Sequence, residues 1–150
     1  MIGAPGFLVV GQQVARNPVA RAIARQRLAS GVRDFSICLH LLRDGERVSA
    51  DGVAAAKVLM VAFEVLHAGG LEHSPQASVI RGAISTIEQL ALRDWRWRTQ
   101  DATAIDAGLQ RAQAVASVAS AVDMQRAWHA VDRIDAHIAA NRPALETAHA

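Results

Sequence analysis

Residues 49–67 read Ser49-Ala-Asp-Gly-Val-Ala-Ala-Ala-Lys-Val-Leu-Met-Val-Ala-Phe-Glu-Val-Leu-His67, and Gly69-Gly70 follows. Ser49 is a favoured residue for a helix N-cap, and the glycine pair is a common stop. After the first turn the polar residues are Lys57, Glu64 and His67 alone. A helix this apolar, with so narrow a wet face, belongs at the centre of a domain or in a subunit interface. The same three residues interrupt Gly52 to Leu71, the most apolar stretch of the chain, and argue against a membrane span.

Working outward, the boundary signals remain helical. Asn17-Pro18 is a cap followed by proline at the first helical position, and Ser30-Gly31 supplies a stop, so a helix is expected near 18–30. Asp34 to Arg43 is expected as a second helix closed by Asp44-Gly45. Alternation of Phe35, Ile37, Leu39 and Leu41 leaves open a hairpin into Arg47-Val48-Ser49, but helix is the preferred reading. Ser74-Pro75 opens a helix with no breaker before Thr99. Thr99 or Asp101 caps the next, through Ser117. Ser120 with Asp123 begins the last, which is expected to end at Asn141-Arg142-Pro143, leaving 144–150 as a frayed tail. The expectation is an all-α fold: one domain over 1–150, a compact bundle of five or six mostly antiparallel helices, with 1–11 as a flexible arm.

Composition agrees. Of 150 residues 31 are alanine, the best helix former, while tyrosine is absent and phenylalanine and tryptophan number three each. Cys38 is the only cysteine, so no intrachain disulfide can form; a small buried hydrophobe in a reducing, cytoplasmic setting is its expected role. The charge is uneven. Residues 1–33 carry five arginines and no acid, and the remainder is net negative, giving +2 overall. Arg16, Arg21, Arg25 and Arg27 therefore form a candidate nucleic-acid surface, since a guanidinium row neutralises phosphates with little sequence preference. The small total charge and the need for Ala20, Ile23, Ala24 and Leu28 to pack on something weigh against it.

Catalytic patterns are sparse. Glu64 and His67 have the i, i+3 spacing of carboxylate-bridged metal bundles, and His73 lies just beyond. A second such pair is missing, so a solvated stripe is the stronger reading. His129 and Asp132 lie on the outer face of the last helix, where ion pairing is expected rather than base catalysis. His40 is expected to be a satisfied core histidine. No nucleophile elbow, phosphate loop or zinc spacing occurs. No cofactor is expected, and no catalytic residue is assigned.

The remaining signal is Arg93-Asp94-Trp95-Arg96-Trp97-Arg98, two of three tryptophans within six residues. Extended onto the preceding helix, Trp95 and Trp97 mark the edges of one apolar face. Arg93 and Arg96 then point to solvent, and with Asp94 and Arg98 at i, i+4 between the indoles, either the last turn emerges from the core or the two form a shielded ion pair. Aromatic and arginine residues are what interface anchors favour. The sequence is thus expected to specify a non-enzymatic interaction protein that binds a protein partner and itself as a homo-oligomer. An accessory or regulatory role in a bacterium or mobile element fits such a protein. A nucleic-acid-associated protein is the alternative, and a helical metal protein or enzyme the third reading.

Overall fold

The computed structural model describes residues 18–148, with side chains for all of these but 18–24, 135, 137–139 and 141–148. Among the described residues there are five helices and no strand: α1 (Pro18–Leu41), α2 (Ser49–Ala68), α3 (Pro75–Leu92), α4 (Thr99–Val118) and α5 (Ala121–Ala148). The expected all-α bundle is what forms. The 1–11 arm and Arg16 lie outside the described residues.

The apolar helix α2 sits at the centre and packs against all four others. Ala55, Val58, Leu59, Val61, Ala62 and Leu66 are buried. They share one core with Leu28 and Phe35 of α1, Ile80 and Leu90 of α3, Leu109 of α4 and Met124 of α5. Fully burying side chains of this size contributes about 1.5–3 kcal/mol each. That explains why the polar face of α2 is so narrow. Among the described residues, none of the helices is long and apolar enough to cross a membrane.

Several boundaries differ from those expected. The Ser30-Gly31 stop is absent, and α1 runs unbroken from Pro18 to Leu41. Gly31 serves packing instead: a Cβ there would stand 2.6 Å from Val58 Cγ2, so glycine lets α1 close on α2. Residues 34–41 are helical as preferred, and the Asp44-Gly45 turn (Gly45 φ 88°) leads into an isolated antiparallel bridge. Its partner is Arg96, not the Phe35–Leu41 segment. Val48 rather than Ser49 precedes the first turn of α2, because Val48 is buried and its N–H donates to Trp95 O at 3.3 Å. Ser74 does cap α3, its Oγ accepting from Ala77 N at 3.2 Å, with Pro75 in the first turn. At the start of α5, Ser120 Oγ accepts from Asp123 N at 3.0 Å. That helix continues through Pro143 to Ala148, where 144–148 had been expected to fray. The proline removes one backbone bond, and the alanine-rich flanks are strong enough helix formers to carry on.

Candidate interaction site

α1 lies against α2, α4 and α5, and α3 lies against α2 and α4, while α3 and α5 share no more than a slight contact. A groove of about 250 Å³ runs between them over one face of α2. Val53, Ala56 and Met60 line it from α2, Ile84 and Ile87 from α3, and Val131 and Ile134 from α5. Val53 is 52% exposed and Ile134 41%. The central helix is therefore apolar on a side that no other helix covers. Lys57 and Glu88 are the charged members of the lining. Lys57 Nζ is 3.2 Å from Asp132 Oδ1, which realises the ion-paired outer face expected of α5.

One end of the groove is closed by Trp95, and here the expected geometry is overturned. The Arg93–Arg98 cluster is not helical. α3 stops at Leu92, and both Asp94 (φ 58°) and Trp95 (φ 61°) are left-handed. That conformation is uncommon for aspartate and a clear outlier for tryptophan, so the surroundings must impose it. Trp95 N donates to Leu90 O at 2.7 Å, ending the helix. The indole then folds back over Gly52 at the start of α2, where a Cβ would stand 2.5 Å from Trp95 Cζ3. Only a glycine admits the ring at this spot.

The two loops around the cluster clasp each other. Gly45 N donates to Trp97 O at 2.8 Å and Trp97 N to Glu46 O at 2.9 Å, leaving Trp97 buried. Arg96 NH1 reaches Gly45 O at 3.0 Å, and the Thr99 hydroxyl donates to Asp44. Asp94 does not pair with Arg98. It lies exposed and forms its ion pair with Arg47, whose guanidinium holds the Asp94 carboxyl below the usual carboxylate range. Arg98 is exposed. Arg93, expected in solvent, instead turns inward to Asp101, with NH2 2.8 Å from Oδ2. Asp101 is 6% exposed, and the same oxygen accepts from Arg98 N at 3.1 Å, so one buried carboxylate caps α4 and anchors the loop. This carboxylate was read in the sequence only as a helix cap; its second role depends on Arg93 leaving the helix.

The other expected sites are dispersed. Arg21 lies on α1 with its side chain outside the described set, and Arg25 is exposed. Arg27 is spoken for: its guanidinium sits 4.1 Å above the Trp128 ring, a cation–π contact between α1 and α5. Glu64 is half-buried, and His67 is exposed, stacking on Phe63 with its Nδ1 3.9 Å from Glu72 Oε2. His73 is exposed in the loop. Among the described residues no three His, Cys, Asp or Glu side chains gather closely enough to hold a metal. His40 is exposed, contrary to the core position expected, because it falls on the solvent side of the unbroken α1. Cys38 is half-buried rather than a core hydrophobe. Its Sγ donates to Asp51 Oδ2 at 3.2 Å, and burial together with that carboxylate pushes the thiol up to about 11.

No protein-family model matches the chain, and comparison with curated proteins and with solved structures found no match.

Proposed function

We propose that this chain is a non-enzymatic protein that acts by binding another polypeptide in the groove over α2. One observation carries the reading: the most apolar helix of the fold, placed at its centre, is left open along one strip between α3 and α5. A helix with so narrow a polar face is stable only when largely surrounded, so the gap has the chemistry of a missing neighbour. An apolar segment at i, i+3, i+4 spacing would lie along it in the helix-in-groove manner. Trp95, held by the strained turn, supplies the rigid aromatic end wall that interface anchors favour. Cys38, protonated and half-buried, suits a reducing cytoplasmic setting, and an accessory or regulatory role fits a binder of this size.

Site-specific cross-linking tests this. A photoreactive residue replacing Ile84 in the groove should yield a polypeptide adduct in the native host. The same residue replacing Arg111, on the exposed face of α4, should not. Absence of an adduct from Ile84, or equal adducts from both positions, refutes the assignment.

A further inference from the structure

We infer that Trp95 is the anchor on which binding in the groove turns, and that Gly52, Asp94 and Arg47 are positioning residues that act through it. This deepens the reading of the groove as an interaction surface and rests on it. The two tryptophans of the clasp have different roles. Trp97 is 3% exposed and part of the core, so its burial stabilises the loop that carries it. Trp95 packs on the core from outside, is only half-buried and lines the groove with Ile87 and Ala91. Yet the strain falls on Trp95. It and Asp94 are left-handed, at φ 61° and 58°, a conformation that costs free energy for residues other than glycine. The same turn leaves Arg93 Nε buried and, among the described residues, without a hydrogen-bond partner.

Core packing alone gives little reason to hold a half-buried indole in so strained a turn. The turn does fix a flat aromatic wall across the end of the groove, and a contact made to a side chain already in place carries no ordering cost. Residues outside the groove hold the ring there. Gly52 is its seat: a Cβ would stand 2.5 Å from Cζ3 and 2.9 Å from Cε3. Val48 N donates to Trp95 O at 3.3 Å. Arg47 reaches both the carboxylate and the carbonyl of Asp94, with Nε 3.5 Å from the carbonyl oxygen. Gly52, Asp94 and Arg47 do not line the groove themselves. Their effect on an occupant is therefore carried by the indole.

Photo-cross-linking from Ile84 in the native host, paired with fluorine NMR of fluorotryptophan-labelled protein, tests this. Trp95→Phe identifies the Trp95 signal. Gly52→Ala should move that signal, because the new methyl unseats the ring, and lower the Ile84 adduct about five-fold or more with helical content unchanged. Arg47→Ala, at an exposed site away from the core, should do both to a smaller extent. Trp95→Ala should lower the adduct at least as far as Gly52→Ala, and adding Gly52→Ala to it should lower it no further. That last result separates positioning from a structural role, since a glycine needed only for helix packing would act with or without the indole. An adduct undiminished in Gly52→Ala overturns the inference, whether or not the Trp95 signal has moved. So does an equal further loss when Gly52→Ala is added to Trp95→Ala. No Ile84 adduct from the otherwise unaltered chain would defeat the groove reading itself; an adduct insensitive to these changes would defeat only the anchor.

Discussion

Replacing Gly108 with alanine sets two well-known effects against each other, and the structure decides the sign. Gly108 is buried in the middle of α4, where α4 meets α3 in the most extensive helix contact of the fold. Helix propensity alone favours alanine over glycine by about 1 kcal/mol. However, a Cβ at this position would overlap the Ala83 methyl outright and stand 3.2 Å from Leu59 Cδ2. Ala83 and Leu59 are fully buried, and a methyl has no rotamer into which it can retreat. Overpacking of this kind costs about 1–3 kcal/mol, and the absence of a flexible neighbour puts the cost at the upper end. The net expectation is destabilisation by about 1–2 kcal/mol. For a chain of this size that lowers Tm by about 2–8 °C. Thermal unfolding followed by circular dichroism measures it directly. Adding Ala83→Gly removes the colliding methyl, so the double variant should recover most of the loss, a coupling that independent sites would not show. A raised Tm for Gly108→Ala, or strict additivity in the double variant, would refute the packing argument.

Three other perturbations separate the roles assigned above. Asp101→Ala removes both the α4 cap and the partner of Arg93, so it should cost about 3 kcal/mol in urea unfolding, well above a surface substitution. A loss no larger than that of Asp106→Ala would show that the buried carboxylate holds little. Asp94 titrates below its ordinary value of 3.8 because Arg47 favours the charged form. A depressed folded value contributes stability above the unfolded pKa, lost as pH falls through the folded one. Arg47→Ala should therefore raise the Asp94 titration seen by carboxyl NMR. The stability gap between the two proteins should be present at neutral pH and narrow below about pH 4. An unmoved titration would detach Asp94 from Arg47. Cys38, raised from 9.0 to about 11, should carry about 100-fold less thiolate at neutral pH than a free thiol and alkylate correspondingly slowly. Asp51→Asn should speed that reaction, and an unchanged rate would remove the carboxylate from the account.

Much of this architecture can be read from short-range chemistry. The Ser74-Pro75 start, the Ser120 cap and the apolar run of α2 each state their role within a few residues, and each forms as expected. Misreadings arise where the reason for a residue lies far along the chain. Gly31 looks like a terminator until Val58 is seen 2.6 Å from where its Cβ would be. The helical pattern of α3 extends naturally to Trp97, yet it ends at Leu92. The indole of Trp95 finds a flat seat over Gly52, and residues 45–48 offer backbone partners that a longer helix would lose. No local pattern announces two left-handed residues in Asp94-Trp95. The groove is less legible still. Its walls come from α3 and α5 and its floor from α2, so its existence depends on which helices pack together closely and which do not. What the sequence does offer is the apolar excess of residues 53–66, more than a bundle of this size covers.

Cross-linking from a photoreactive residue at Ile84, with Met60 kept or changed to Glu, tests the central claim most directly. Met60 is half-buried on the groove floor, where a carboxylate would be stranded by any polypeptide lying over it but remain wet in the free monomer. A polypeptide adduct is expected in the native host from the chain that keeps Met60, and none from Met60→Glu with its helical content unchanged. Equal adducts from the two folded proteins, or none from either, would contradict it.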